Sequence, residues 1–403
     1  MRALYDLGIY LIALGSYLRK KSRKQFFKRL GFGFPKIDKK ERPLIWVHAV
    51  SLGETRAVAP LIRRLKDDPS NPLILLTTVT ATGHEEGKRA IPEADYHLFL
   101  PFDLPYLITP IVKRVQPDLV ILVETDFWLH FQRAAKKAGA KIVLVNGRLS
   151  HRSFENYCRF TRFARNLFSP IDHFSLQGKI YADRFAEIGI PAEKITVTGN
   201  IKLDGLSEDK ALDLPLTKDD LVVTLGSTHD PEEKLLLNAL KPLFPQFPHL
   251  KILLVPRHPE RFAEVRKLLD NLLTPTERQR VILVDKMGVL RSCYRHSALA
   301  FVGGSLTSKV GGHNILEPSY FGVPVLYGPY MQSQPDFLDL IQSYQAGIQV
   351  TRATLTQTLS ELLHSREKRH KLGANGYRLV QESSGAVERT IKIISRLASN
   401  PHT

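Results

Sequence analysis

The chain has 403 residues and a formal net charge of +17, with 43% hydrophobic and 24% charged residues. This is ordinary globular composition at a length natural for two domains, and it excludes disordered, fibrous and low-complexity classes. Two cysteines, Cys158 and Cys293, can build neither a disulfide framework nor a C-x-x-C zinc knuckle, so a reducing, cytoplasmic compartment is expected.

The first element is an uncharged apolar stretch from Leu7 to Leu18, followed by the basic run Arg19, Lys20, Lys21, Arg23, Lys24, Lys28 and Arg29. The stretch is shorter than the ~20 residues of a spanning helix, and Asp6 blocks its extension. No small-residue cleavage site follows, which argues against a signal peptide. Residues 1–42 carry +9 of the net charge. An anchor dipping into one leaflet, with a collar of cations on anionic headgroups, accounts for this pattern. The plainer alternative is an amphipathic first helix with a solvated basic face. Nucleic acid is not expected as a partner, because the cations follow an apolar segment instead of alternating with aromatics.

Short, mostly apolar runs then alternate with helical spacers: Leu44–Val47, Leu73–Val79, His97–Leu100, Leu119–Val123, Lys141–Val145, His173–Leu176 and Ile195–Val197. Runs of this kind are strands of a parallel sheet covered on both faces. A polar segment, residues 204–220, reads as a linker. The rhythm restarts with Leu221–Leu225, Ile252–Val255, Val281–Val284, Leu299–Val302, Pro324–Tyr327 and Gly347–Val350, and ends in helical sequence over Thr354–Leu363 and Ala386–Leu397. The expected fold class is α/β: an anchor and collar over 1–42, a doubly wound domain over 43–203, the linker, and a second doubly wound domain over 221–403. The last helix could pack back on the first domain. Two such domains are expected to face each other across a cleft. Ligands of such folds bind beyond the carboxyl ends of strands.

Several motifs follow strands directly. Ser51-Leu52-Gly53-Glu54 offers a turn-forming Gly53 and, at a helix N-terminus, an ionised Glu54 able to act as a base. The same spacing fits an S-x-x-E capping box. Glu124-Thr125-Asp126-Phe127-Trp128 places a carboxylate at a strand end, where it orients a base or sugar, or caps a helix. Asn146-Gly147-Arg148 and Gly199-Asn200-Ile201-Lys202 each present a cation, which together suggest an anionic substrate.

In the second half, prolines flank Arg257-His258 and stiffen their loop, and Ser227-Thr228-His229 closes a strand. Phe301-Val302-Gly303-Gly304-Ser305 precedes Gly311-Gly312-His313-Asn314-Ile315-Leu316-Glu317. The glycine pairs and bare amides of a helix beginning near Asn314 read as a phosphate cradle, with Glu317 accepting from ribose hydroxyls. Alternatively the glycines only mark turns. No P-loop, no complete G-x-G-x-x-G and no Asp-x-Asp occurs. These absences argue against a P-loop kinase, a dinucleotide oxidoreductase and the usual carboxylate pair for a divalent metal.

Taken together, the N-terminal segment, HAVSLGE from His48, ETDFW from Glu124, NGRLS from Asn146, TGNIKLD from Thr198, PRHPERF from Pro256, and FVGGSL with GGHNILEP from Phe301 resemble the 3-deoxy-D-manno-octulosonic acid (Kdo) transferases of Gram-negative lipopolysaccharide assembly. The resemblance runs over nearly the whole chain. It implies a GT-B fold and a metal-independent, inverting transfer of Kdo from CMP-Kdo to the lipid A precursor lipid IVA, at the cytoplasmic face of the inner membrane and with no cofactor. By the same resemblance Glu54 is the general base, and Glu124 and Lys202 stabilise the transition state. Arg257, His258, Met287, Gly288, Val289, Asn314, Ile315, Leu316 and Glu317 bind CMP-Kdo, with Gly303, Gly304 and Ser227 beside them. Ser51, Gly53 and Arg148 are candidates for holding acceptor or carboxylate. Val289 stands where the family commonly has Glu, so only backbone contacts are expected there.

An anchor of this kind should be separable, so removal of residues 1–18 is expected to weaken vesicle binding and spare turnover on detergent-dispersed acceptor. Two alternatives stay open: another GT-B transferase or epimerase using a UDP-sugar, and a non-catalytic binder of anionic lipid using the collar with Arg152, Arg159, Arg162 and Arg165.

Overall fold

Residues along the central apolar runs alternate between two buried faces, as expected of strands in a parallel sheet covered on both sides. The computed structural model describes residues 2–18, 23–204 and 212–399. The first sheet contains β1 (Leu44–His48), β2 (Leu73–Thr78), β3 (Tyr96–Phe99), β4 (Leu119–Val123), β5 (Lys141–Gly147), β6 (His173–Leu176) and β7 (Ile195–Val197). Their order is β3-β2-β1-β4-β5-β6-β7, and every pairing is parallel. Leu44, Trp46, Val120, Leu122, Ile142 and Leu144 enter one core. Ile45, Val47, Ile121, Val123, Val143 and Val145 enter the other, which Ala386, Val387, Ile393 and Ile394 of the last helix help to fill.

The second sheet contains β8 (Leu221–Thr228), β9 (Leu250–Pro256), β10 (Val281–Leu283), β11 (Leu299–Val302), β12 (Val325–Tyr327) and β13 (Gly347–Gln349). Its order is β10-β9-β8-β11-β12-β13, again all parallel. Val223, Leu225, Ile252, Leu254 and Phe301 fill one face, and Val222, Leu253 and Val255 the other. The chain thus divides into two compact units, residues 1–206 with 383–403, and residues 207–382. The helix Ala386–Ser399 is held to the first unit by Asp204, whose carboxylate accepts from the amides of Gly385 at 2.7 Å and Val387 at 2.6 Å.

Two features differ from the sequence reading. Within the segment read as a linker, Leu212, Leu214 and Leu216 pack on the second unit's core with Val222 and Val289. Three leucines at alternate positions bury one side of an extended chain, a pattern too short to stand out against the polar residues between them. Residues 205–211 of that segment lie outside the described residues.

The N-terminal helix Arg2–Leu18 is also more than a free anchor. Tyr5 Oη donates to Asp103 Oδ2 at 2.6 Å and accepts from the Leu129 amide at 3.2 Å. Asp103 accepts in addition from the amides of His130 at 2.9 Å and Phe131 at 2.7 Å. Asp6 Oδ1 lies 2.6 Å from His130 Nε2, and Ile9 is buried with Phe102 and Leu104. Leu4, Leu7, Leu11, Leu14 and Leu18 remain exposed on the rest of its surface. In the basic run, Arg29 is buried, donating to the Leu100 carbonyl and lying over the Phe102 ring, so it belongs to the fold and not to a solvated collar. Arg19, Lys20 and Lys21 lie outside the described residues. Among the described residues no helix is long and apolar enough to cross a membrane.

Candidate active site

In each sheet the chain winds outward in both directions from a central pair of strands, β1 and β4 in the first, β8 and β11 in the second. The connections leave such a pair toward opposite faces, opening a crevice beyond its carboxyl ends. The sequence candidates collect at these two places, one group on each unit.

On the first unit, Glu124 follows β4 with φ 61°, and Asn146 near the end of β5 has φ 53°. Both are left-handed positions that cost non-glycine residues energy and concentrate at functional sites. Glu124 is buried, with Lys202 Nζ 2.6 Å from Oε1 and Arg148 Nε 2.9 Å from Oε2. Asn146 Nδ2 donates to Oε1 at 3.4 Å, while Asn146 Oδ1 accepts from the Ile201 amide at 3.0 Å and so fixes the turn that carries Lys202. The two cations expected at separate strand ends converge on one carboxylate.

Ser51 is the N-cap of the helix Leu52–Lys66. Its Oγ donates to Glu54 Oε1 at 2.8 Å and accepts from the Glu54 amide at 3.4 Å, and the Val50 amide donates to Glu54 Oε2 at 2.7 Å. Ser51 therefore caps the helix, but the reciprocal half of an S-x-x-E box is not formed, because Glu54 accepts from the Val50 amide and not from that of Ser51. Gly53 is not required by a tight turn: a Cβ there would meet nothing closer than Ser51 Oγ at 3.9 Å.

Glu54 was expected to be ionised by the helix N-terminus. Instead burial, and then the carboxylate of Asp126, push its pKa from the ordinary 4.5 up to about 8. The cost of desolvating the charge exceeds what the end of one helix returns. Burial likewise raises Asp126, to about 6, opposed by its hydrogen bond with Glu54. Each of the two carboxyls thus raises or moderates the proton affinity of the other. Asp126 and Asn146 are site residues to which sequence reasoning gave no role, although both lie inside motifs it singled out. The signal available was a second acid two residues after Glu124.

On the second unit, Ser227 closes β8 with φ 53°, and Arg257 and His258 follow β9. The Gly303–Gly304 segment does not present free amides to a phosphate. Gly303 N–H donates to the Gly226 carbonyl at 2.8 Å. Glu232 takes the amides of Gly304, Ser305 and Leu306 at 2.7, 2.9 and 2.8 Å, and that of His229 at 3.1 Å. A buried carboxylate facing four amides is the fold's own anion at this loop.

No α-helix begins at Asn314 either. Its Oδ1 accepts from the Leu316 amide at 3.0 Å, forming a turn before the short 3₁₀ helix Pro318–Phe321. Asx turns of this kind compete with helix. Ile315 and Leu316 are wholly buried. Glu317 is pushed up to about 7 by burial, against the pull of Arg291 and Arg257. Met287 is exposed, Gly288 has φ 79°, and the Val289 side chain enters the core beside Val222 and Cys293. Among the described residues, no group of three or more His, Cys, Asp or Glu side chains is placed to hold a metal ion.

The sequence model of the family described as 3-Deoxy-D-manno-octulosonic-acid transferase (kdotransferase) matches residues 24–205. The 3-deoxy-D-manno-octulosonic acid transferase of Chlamydophila psittaci is 35% identical over 97% of this chain and 94% of that protein. The enzyme of the same name from Haemophilus influenzae is 37% identical over 87% of this chain and 86% of its own length. Among solved structures, Acinetobacter baumannii MurG has a TM-score of 0.57 at 12% identity, covering 88% of this chain and 99% of that one. UDP-GlcNAc 2-epimerase from Neisseria meningitidis has a TM-score of 0.59 at 14% identity, with 88% and 100% covered. At such identities these two share the fold alone, the pair of parallel-sheet domains of the GT-B type. The close relatives carry the assignment further: the chain belongs to the 3-deoxy-D-manno-octulosonic acid transferase family of glycosyltransferases.

Proposed function

We propose that the chain transfers Kdo from CMP-Kdo to the lipid A precursor lipid IVA, with inversion at the anomeric carbon and without a metal. The observation that carries this reading is the acidic pair Glu54–Asp126 beside the Glu124–Lys202–Arg148 cluster at the crevice of the first sheet, in a chain of this family. A base with a pKa near 8 is close to the value most effective near neutral pH. Glu54 takes the proton of the attacking acceptor hydroxyl, and Asp126 keeps it basic. Kdo carries a carboxylate on its anomeric carbon, so Lys202 and Arg148 hold that carboxylate. The charge of Glu124 then faces the positive character that develops as the bond to phosphate loosens. A single displacement by the acceptor oxygen inverts the configuration.

In this reading Arg257, His258 and Glu317 hold the cytidine nucleotide. Backbone atoms at Met287–Val289 and Asn314–Leu316 line its path, with Ser227, Gly303 and Gly304 shaping the loop behind it. Ser51 and Gly53 border the acceptor. The exposed leucines of Arg2–Leu18, with Arg23, Lys24 and Lys28 following, hold the enzyme on the anionic cytoplasmic face of the inner membrane.

The test is transfer from CMP-Kdo, generated in situ, to lipid IVA, with the products read by mass spectrometry and the new anomeric configuration by NMR. Mass increments of Kdo are expected. Acceptance of a UDP-sugar in place of CMP-Kdo would overturn the donor assignment, and turnover abolished by chelation and restored by a divalent ion would overturn the metal-independent mechanism.

A further inference from the structure

Three imidazoles gather beyond β8, β9 and β11 of the second sheet. His229 Nε2 lies 2.8 Å from His313 Nε2, with the rings stacked 5.0 Å between centroids and 13° between planes. His258 meets the His229 ring edge-on, at 5.0 Å and 76°. An N···N contact this short is a hydrogen bond, so one facing atom carries hydrogen and the other is bare. Such a pair accepts one further proton, on a nitrogen turned away from the contact, without breaking the bridge.

The surroundings are one-sided. Arg257, Arg261 and His258 act on His229, and Arg257 and His258 act on His313. The acids nearby are committed elsewhere: Glu232 to four backbone amides, Glu233 to Arg261 at 2.7 Å, and Glu260 toward His258 at 3.6 Å. Burial first, and the neighbouring imidazoles and arginines after it, push both His229 and His313 down to about 4, so near neutrality the pair is uncharged. The glycine pair makes room for this arrangement. Gly304 has φ 69°, and a Cβ there would stand 3.0 Å from His313 Cδ2 and 3.1 Å from its Nε2. A Cβ at Gly303 would stand 2.8 Å from Glu232 Oε2. A cluster of arginines and proton-accepting imidazoles, with no carboxylate paired to either the His229 or the His313 ring among the described residues, suits a compact anion of high charge.

We propose that His229 and His313 form a proton-accepting clamp for the phosphate of a nucleoside monophosphate, uncharged in the free protein and taking one proton from solvent when the phosphate dianion binds. The inference rests on the nucleotide-sugar donor proposed above and gives that site a role in leaving-group stabilisation. During transfer the bond between the anomeric carbon and the phosphate oxygen breaks, with both electrons staying on that oxygen. The acceptor oxygen forms the new bond, and its proton passes to the Glu54 carboxylate. The phosphodiester monoanion thereby becomes a monoester dianion, and the proton held by the clamp matches the added charge. Binding that strengthens as charge develops lowers the barrier and leaves the donor itself less tightly held.

The test is calorimetric titration of the full chain in detergent with CMP, in buffers of different ionisation enthalpy at about pH 7.5, where a phosphomonoester with second pKa about 6 is nearly all dianion. The expected result is uptake approaching one proton per CMP bound, with none for cytidine and partial uptake for inorganic phosphate. His229→Gln and His313→Gln are expected to bind CMP about tenfold more weakly and to lose the uptake, since each removes the second proton site but not the arginines. CMP binding by the unaltered protein without proton uptake overturns the clamp and leaves the donor reading standing. Uptake that persists in both variants also overturns it. Uptake with UMP and no binding of CMP overturns the cytidine donor and supports the clamp, and failure of every nucleotide and of phosphate to bind overturns both.

Discussion

Lys202 Nζ lies 2.6 Å from Glu124 Oε1, and Arg148 Nε lies 2.9 Å from the other oxygen of the same carboxylate. The cations arrive from the ends of β5 and β7, so three separate strand connections must close correctly for one charge to be matched. Replacing Lys202 by Met leaves Glu124 buried with one cation. A stability loss of about 1–3 kcal/mol is expected, since Arg148 remains, together with a fall in turnover of at least about a hundredfold. Denaturant titration and initial rates check both. In the double variant with Glu124→Gln, most of the stability should return while activity does not.

Glu54→Gln should fold, because an amide still accepts from Ser51 Oγ or the Val50 amide, and should transfer no sugar. Its pH dependence is distinctive. The folded pKa of Glu54, about 8, lies above its ordinary 4.5, so the native state binds this proton more tightly. The resulting stability is complete below about pH 4.5 and is lost as pH rises through about 8. Glu54→Gln lacks that loss. The variant should gain on the parent steadily between these limits, measured by chemical denaturation at several pH values.

Asp126→Asn removes the second cause of the raised Glu54 pKa but not the first, which is burial. The acidic limb of the pH–rate profile should move part of the way toward the ordinary carboxyl range, with turnover near pH 8 reduced because the remaining base is weaker. An unmoved acidic limb would show that Asp126 does not act on the base.

Glu232→Gln replaces an acceptor-only carboxylate facing four amides with a group that brings donors of its own. A loss of about 2–3 kcal/mol is expected from unsatisfied buried groups. Nucleotide affinity should fall as well, because the loop carrying His313 loses its tie to the helix Glu232–Leu240. Thermal unfolding with and without CMP separates the two effects.

The N-terminal helix gives a prediction opposite to that of a separable anchor. Removing residues 2–18 strips Asp103 of Tyr5 and uncovers Ile9's partners Phe102 and Leu104. The truncated chain should therefore unfold at lower temperature as well as lose binding to anionic vesicles. Tyr5→Phe isolates the polar part and should cost about 1–2 kcal/mol without affecting flotation on vesicles.

The strands are legible in the amino-acid sequence because the central ones are buried on both faces and are therefore mostly apolar, while the partly exposed edge strands β3, β7, β10 and β13 are short runs of the same kind. All thirteen runs form strands, and the motifs at their ends mark the crevices, since topology confines ligands to carboxyl edges. Glu54, Glu124, Lys202 and Arg257 are accessible on that basis. Asp126, Asn146 and Glu232 are not, because their importance lies in which distant group each one faces.

What the sequence determined by itself was the α/β alternation, the placement of chemistry after strands, and the family, all properties of residues read in order. Tertiary structure alone decided that Glu54 holds its proton near neutrality and that the Gly303–Gly304 amides serve Glu232. It also decided that two histidines separated by more than eighty positions share a hydrogen. Each of these depends on burial and on the distance between groups far apart in the chain. A pKa or a hydrogen bond follows from that distance, and local pattern carries no record of it.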